Sequence, residues 1–389
     1  MCETHQNSDQ MQNMEKISRK RFVLLLLMAL IGCSRSEENV ISEVREGVEY
    51  ISNLSGLDTT RFPLRFELEQ IIGVEEGSVE ESIAGIRSMA VDNMGNVYVL
   101  DDRNSRLMAF DSAGNHLWNA SRQGEGPGEL SAPRKMALLG DQLHVSNQRG
   151  TRIDAWNTSG EYLGTIPIPQ QVGSSATFEG YISDTMVFST GTPKAVSTTL
   201  WFFDAHSRAL LDSLTFRQEM DQIIPGQISQ TMYVDVTQDN VVIAGATSDY
   251  VFWTMNRLGM LEREVRLNAD HLWGPSVIEN MFIPYIGIRK MLSLPGGEEM
   301  VFVMVPNTDP AESMRRRMAG EATNSTGSLT SLDLFDPKGI YQGSMIRHDG
   351  HLAIGTPHHV GQDGKLYTTV QTPYPAIRRY RVLANQGVN

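Results

Sequence analysis

Four histidines, His348, His351, His358 and His359, fall close together near the end of this 389-residue chain. Clustered imidazoles are raw material for a zinc site, but such a site needs three or four convergent ligands. His358 and His359 are neighbours, and adjacent residues on a strand point to opposite faces. No metal and no cofactor are therefore expected. There is no G-x-S-x-G elbow and no phosphate-cradling P-loop, so no catalytic residue is assigned. A repeated tetrapeptide is the stronger pattern. Ile86-Arg87-Ser88-Met89, Pro133-Arg134-Lys135-Met136 and Ile288-Arg289-Lys290-Met291 are near-identical. Ser229-Gln230-Thr231-Met232 and Pro357-His358-His359-Val360 fill the same slot in other copies, with Glu179 a looser counterpart. Arg87, Arg134, Gln230, Arg289 and His358 are thus the candidate ligand-binding residues. Guanidinium groups gathered at one opening repel until an anion screens them, so a carboxylate-bearing ligand suits them. The competing expectation is structural: each Arg ties its own repeat to a carboxylate such as Glu179.

Such residues need a scaffold that repeats. Ser88 to Trp118, SMAVDNMGNVYVLDDRNSRLMAFDSAGNHLW, reads as four short strands parted by Gly/Asn/Asp turns. Its third-strand ending, an aromatic or Met followed by Asp or Asn and a tight turn, recurs at Phe110, Trp156, Phe203, Met255 and Phe335, and Tyr380 ends a last copy. Apolar second strands begin near Val97, Leu143, Val187, Val241, Val301 and Leu366. Six second strands at this spacing, with four strands per unit, predict an all-β fold, a six-bladed β-propeller. First strands line the channel of a propeller, which puts the tetrapeptides at one mouth of it.

The last blade lacks a strand, and Leu64 to Ile72 alternates apolar and polar ahead of the first full blade. Pairing that N-terminal strand with the C-terminal ones closes the ring and removes two exposed edges. Two inserts lengthen the fifth repeat: Asn268 to Tyr285, and Pro306 to Ser328, with a short helix predicted over Ser313 to Met318.

Tyr98-Val99-Leu100-Asp101, Asn104-Ser105-Arg106-Leu107 and Phe110 together resemble the NHL repeat. Gln123-Gly124-Glu125-Gly126-Pro127-Gly128-Glu129-Leu130 with Ala132-Pro133 is similar to the inter-blade linker of NHL-like propeller lipoproteins of bacterial envelopes. The resemblance covers about 83 to 170 well and decays beyond the second blade. It implies that Asp101, Asn104 and Arg106 are structural, tying the turn between the second and third strands.

The address is written at the N-terminus. Arg19-Lys20-Arg21 precedes the apolar run Phe22 to Ile31, which is too short to span a bilayer. Leu30-Ile31-Gly32-Cys33 resembles a lipobox, which implies cleavage before Cys33 and acylation of it. Ser34 stands where an Asp favours inner-membrane retention in such lipoproteins, so the outer membrane is expected. Residues 1–32 are then leader and signal peptide, 33–62 a lipidated tether with one short strand against the body, and 63–384 the propeller. Cys2 lies in the leader, so the mature chain has no disulfide.

Composition agrees with a globular body: 40% hydrophobic, 20% charged, net charge -13. An acidic chain excludes the nucleic-acid backbone as partner. The expected role is non-enzymatic: binding or scaffolding in the bacterial envelope by a monomer, with an envelope protein or a small anionic or carbohydrate ligand as partner. A propeller hydrolase or lyase acting on a small anionic or carbohydrate substrate is the alternative.

Overall fold

Short Asx turns set the strand lengths. Asp92 accepts hydrogen bonds at Oδ1 from the backbone N–H groups of Met94 and Asn96, both at 2.9 Å. Gly95 supplies the positive φ of 82° that ends the turn. Asp111, Asn157, Asn256 and Asp336 do the same between third and fourth strands. A computed structural model describes residues 39–385, apart from 55–57, 59, 76–77, 79, 174–175, 192–196, 218–232, 237–239, 245–249, 257, 269–275, 279–280, 284–286, 307–309, 322–327, 348–351 and 362. Cys33, Gln230, His348 and His351 lie outside the described residues.

The chain forms a six-bladed propeller. Blade one runs from Ser88–Val91 to His116–Ala120, blade two from Lys135–Leu139 to Tyr162–Ile166, and blade three from Thr177–Ile182 to Leu210–Arg217. Blade four runs from Tyr233–Val236 to Leu261–Leu267, and blade five from Ile288–Ser293 to Tyr341–Arg347. Each is an antiparallel meander of four strands. Blade six has three C-terminal strands, Thr356–Val360, Leu366–Val370 and Ala376–Ala384, and takes Leu64–Ile72 as its fourth, antiparallel to Ala376–Ala384. The N-terminal strand therefore closes the ring. Each first strand neighbours the next, and the sixth returns to the first.

The core lies between blades, because each sheet has two apolar faces. Ile72, Tyr367 and Ile377 of blade six bury themselves against Val97, Val99 and Phe110 of blade one. Tyr98 and Leu100, on the other face of blade one, pack on Leu143, Val145 and Trp156 of blade two. Met89, Met136 and Met291 of the repeated tetrapeptides are all buried in these layers.

The segment expected as a tether carries two strands. Val40–Arg45 and Val48–Asn53 form a hairpin, and Val48–Asn53 lies parallel to Leu261–Leu267 on the outer edge of blade four. Asn53 pins it: Nδ2 donates to the carbonyls of Arg266 and Gly339, each at 3.0 Å, and Oδ1 accepts from Tyr341 N at 2.8 Å.

The inserts are also structured. A helix, Pro310–Met318, leaves blade five between its second and third strands, starting earlier than predicted. It touches the small hairpin of Ser276–Ile278 and Met281–Ile283 that precedes blade five. In an up-and-down meander both connections fall at the end where first strands begin. No described helix is long and apolar enough to cross a membrane.

Candidate functional site

Arg87 and Arg134 occupy equivalent places at the start of first strands. Arg87 N donates to Leu100 O at 3.0 Å, and Arg134 N donates to Ser146 O at 2.9 Å. Arg289 stands in a bulge, since Ile288 pairs with Val303 while Lys290 pairs with Phe302. All three side chains are exposed. First strands of a meandering ring run the same way, so these arginines share one end of the channel. Among the described residues neither Arg87 nor Arg134 forms an ion pair. Glu179, the carboxylate considered for them, is held by a lysine.

That lysine is Lys135, the residue after Arg134. Its Nζ lies 2.8 Å from Glu179 Oε2 in blade three and 3.4 Å from Val234 O in blade four. Glu179 also accepts from Ser189 Oγ at 2.6 Å. Lys290, after Arg289, repeats the arrangement with Nζ 2.8 Å from Asp235 Oδ1. Burial works against the charge of Lys135, yet Glu179 and Asp235 outweigh it and hold its pKa above the usual lysine value. Ser88, after Arg87, bonds across to blade two, accepting from Met136 N at 3.1 Å and donating to Met136 O at 3.3 Å. The residue behind each arginine thus staples one blade to another.

Blade four contributes through Tyr233–Val236, which brings in Asp235; Gln230 precedes this strand. Blade six departs from expectation at its histidines. Pro357 pairs with Thr368 and His359 with Tyr367, so His358 is bulged. A bulge breaks strict alternation and re-aims side chains. Both imidazoles consequently lie within the influence of Lys290 and Asp235. Counted back from the turns that pair Val91 with Val97 and Val360 with Leu366, His358 sits one pleat deeper than Arg87.

Burial pushes His358 down to about 3 and His359 down to about 4, and the Lys290 ammonium adds to both shifts. Both rings are neutral at physiological pH. His358 Nδ1 is buried without a hydrogen-bond partner among the described residues. In blade five, burial raises the Glu299 carboxyl to about 7 against the hydrogen bonds from Ser293 Oγ at 2.8 and 2.7 Å. Among the described residues no three His, Cys, Asp or Glu side chains converge as a metal site.

Asp101 and its partners form a structural cluster. Buried Asp101 accepts from Gly85 N at 2.9 Å, Asn104 Nδ2 at 2.9 Å and Arg106 Nε at 3.2 Å. Arg106 also donates to Ser82 O, which fastens the segment leading into blade one. In blade two the carboxylate has moved to the third strand: Asp154 takes Arg152 Nε and Asn147 Nδ2, each at 2.7 Å. Arg152 then grips the linker at Glu125 O, Gly126 O and Glu129 O.

Sequence reasoning missed Lys135, Asp235, Lys290 and His359 as channel residues. The lysines were visible in the tetrapeptides, overshadowed by the arginines beside them. Asp235 carries no local signal, because only its place in the first strand turns it toward Lys290.

No protein-family model and no curated protein matches the chain. The likeness is to solved structures. A member of the DUF4221 family from Bacteroides vulgatus is 11% identical, with a TM-score of 0.53, covering 83% of this chain and 99% of that one. A Bacteroides fragilis protein designated as exported is 11% identical, with a TM-score of 0.52, covering 87% of this chain and 99% of that one. At this identity the likeness is one of fold, and the fold is the six-bladed propeller.

Proposed function

We propose that the chain is a lipid-anchored protein of a bacterial envelope that binds or scaffolds without catalysis and recognises an anionic partner at the channel mouth. One observation carries the reading: Arg87, Arg134 and Arg289 stand exposed at one end of the ring, while the lysines behind two of them are neutralised by Glu179 and Asp235. Exposed guanidinium groups at one opening of an acidic chain, with Arg87 and Arg134 outside any ion pair among the described residues, focus its field on anions. The partner is an envelope protein or a small anionic or carbohydrate ligand. Acyl chains on Cys33, at about 0.8 kcal/mol per buried CH₂, would hold the protein on the outer membrane without a spanning helix. The exported designation of the Bacteroides fragilis protein supports an address beyond the cytoplasm.

Two experiments test this. Cys33→Ser should move the protein from the membrane to the soluble fraction, and unchanged membrane association overturns the anchor. The variant Arg87→Gln/Arg134→Gln/Arg289→Gln should melt like the parent yet lose stabilisation by succinate; retained stabilisation overturns the mouth. Crosslinking in intact cells identifies a protein partner.

The second reading is a hydrolase or lyase acting in the channel, favoured by the neutral pair His358 and His359 beside Lys290 and Asp235. Metal retained through dialysis, with an activity lost to a chelator, would favour it.

A further inference from the structure

Behind the exposed arginines the channel wall changes from charged to neutral and polar. Lys135 is engaged by Glu179 and Lys290 by Asp235, each pair at 2.8 Å. Ser88 is satisfied by the backbone of Met136. What remains unanswered is His358 Nδ1, buried and without a partner among the described residues, next to His359 on a strand bulged at that point.

We infer that the ligand of this channel is a polyhydroxylated carboxylate of the uronic-acid type, its carboxylate at Arg87, Arg134 and Arg289 and a ring hydroxyl at His358 and His359. The inference rests on the anion-binding mouth proposed above and names the part of the ligand that reaches past it.

The wall selects the deeper group by exclusion. A second anionic group beside His358 and His359 would find no free cation there among the described residues, because Lys290 is already paired with Asp235 at 2.8 Å. A cationic group would find no free anion there among the described residues, because the Asp235 carboxylate is taken by the same pair. An apolar group would leave the buried Nδ1 of His358 unpaired, which is the costly outcome for a polar atom away from water. A hydroxyl both donates and accepts, so it satisfies a neutral imidazole in either tautomer.

Distance supports the pairing of functions. His358 lies one pleat deeper than Arg87. Two residues of strand advance about 6.6 Å, comparable with the reach of a pyranose from its carboxylate to a far hydroxyl. A short dicarboxylate such as succinate can meet the arginines but offers nothing to the histidines. A neutral hexose offers hydroxyls but nothing for the guanidinium groups to hold.

The full-length protein, titrated calorimetrically with galacturonate, galactose and succinate at pH 7.5, decides the matter. Galacturonate should bind at least tenfold more tightly than either of the others. His358→Leu should reduce it to the level of succinate, while His358→Asn, which keeps a neutral polar group, should retain part of the advantage. Succinate equal to galacturonate overturns the inference and leaves the anionic mouth standing. Galactose equal to galacturonate overturns both the inference and the mouth, since the carboxylate is then not read. No binding by any of the three likewise removes both. If His358→Leu unfolds, an undiminished galacturonate advantage in His358→Asn and in His359→Leu together overturns the assignment to these rings.

Discussion

Lys290 and Asp235 meet between blades five and four, with Nζ 2.8 Å from Oδ1. Lys135 and Glu179 repeat that relationship between blades two and three. In each case the lysine sits between an arginine and a methionine of the same tetrapeptide. The methionine packs between blades, the lysine staples its blade to a neighbouring one, and the arginine is left at the mouth. A short repeated motif therefore serves packing, closure and exposure at once.

The staples should be measurable as coupling. Lys290→Met leaves the Asp235 carboxylate half-buried without its cation and should cost about 3 kcal/mol of unfolding free energy. Asp235→Asn/Lys290→Met removes both charges and should recover most of that loss. Denaturant titration of the two single variants and the double variant gives the coupling. Additive losses would mean that the pair does not hold the blades.

Closure of the ring rests on the N-terminal strand. Leu64–Ile72 pairs along Ala376–Ala384, Ile72 is buried against blade one, and Glu69 is bound by Lys365 at 3.0 Å and Arg381 at 2.6 Å. Deleting Leu64 to Ile72 should expose the edge of blade six and give aggregation or a much lower melting temperature. Ile72→Ala alone should cost about 2–5 kcal/mol. A melting curve unchanged by the deletion would place closure elsewhere.

The N-terminal hairpin depends on one amide. Asn53→Ala removes its hydrogen bonds to Arg266 O, Gly339 O and Tyr341 N. About 1 kcal/mol per bond is at stake, and Val40–Asn53 should exchange its amide protons faster while Leu64–Ile72 stays protected. Equal protection in variant and parent would show that strand pairing alone docks the hairpin.

Much of the ring was legible because its signals are local. Apolar second strands near Val97, Leu143, Val187, Val241, Val301 and Leu366 announce themselves by composition, and Asp or Asn before a tight turn marks each third strand. The closing strand was legible because blade six visibly lacked one. The hairpin over Val40–Asn53 was not, since its parallel pairing with Leu261–Leu267 joins distant parts of the chain and needs only a free edge. The bulge at His358 has no composition of its own, and strict alternation therefore misplaced the adjacent imidazoles. Arginines in a repeated tetrapeptide invited a pairing with Glu179 that the neighbouring lysine makes instead.

Proton linkage gives the last prediction, and its sign follows from two opposed groups of buried residues. Burial holds His358 at about 3 and His359 and His144 at about 4, below the ordinary 6.5. Between those values the unfolded chain binds protons that the folded chain refuses, so stability falls as pH drops through 6.5. Glu299 at about 7 and Asp333 at about 6, both raised by burial, act the other way. Folded, they keep protons that the unfolded chain releases above 4.5 and 3.8, so they add stability as pH drops toward those values. Three strongly depressed imidazoles outweigh two raised carboxyls, and the melting temperature should fall on acidification from pH 7 to pH 5. His358→Gln/His359→Gln leaves one imidazole against two carboxyls, so the same acidification should raise the melting temperature of the variant. Calorimetric scans of both proteins across that range read the sign directly. A fall of equal size in the variant would mean that neither histidine is held neutral by the channel.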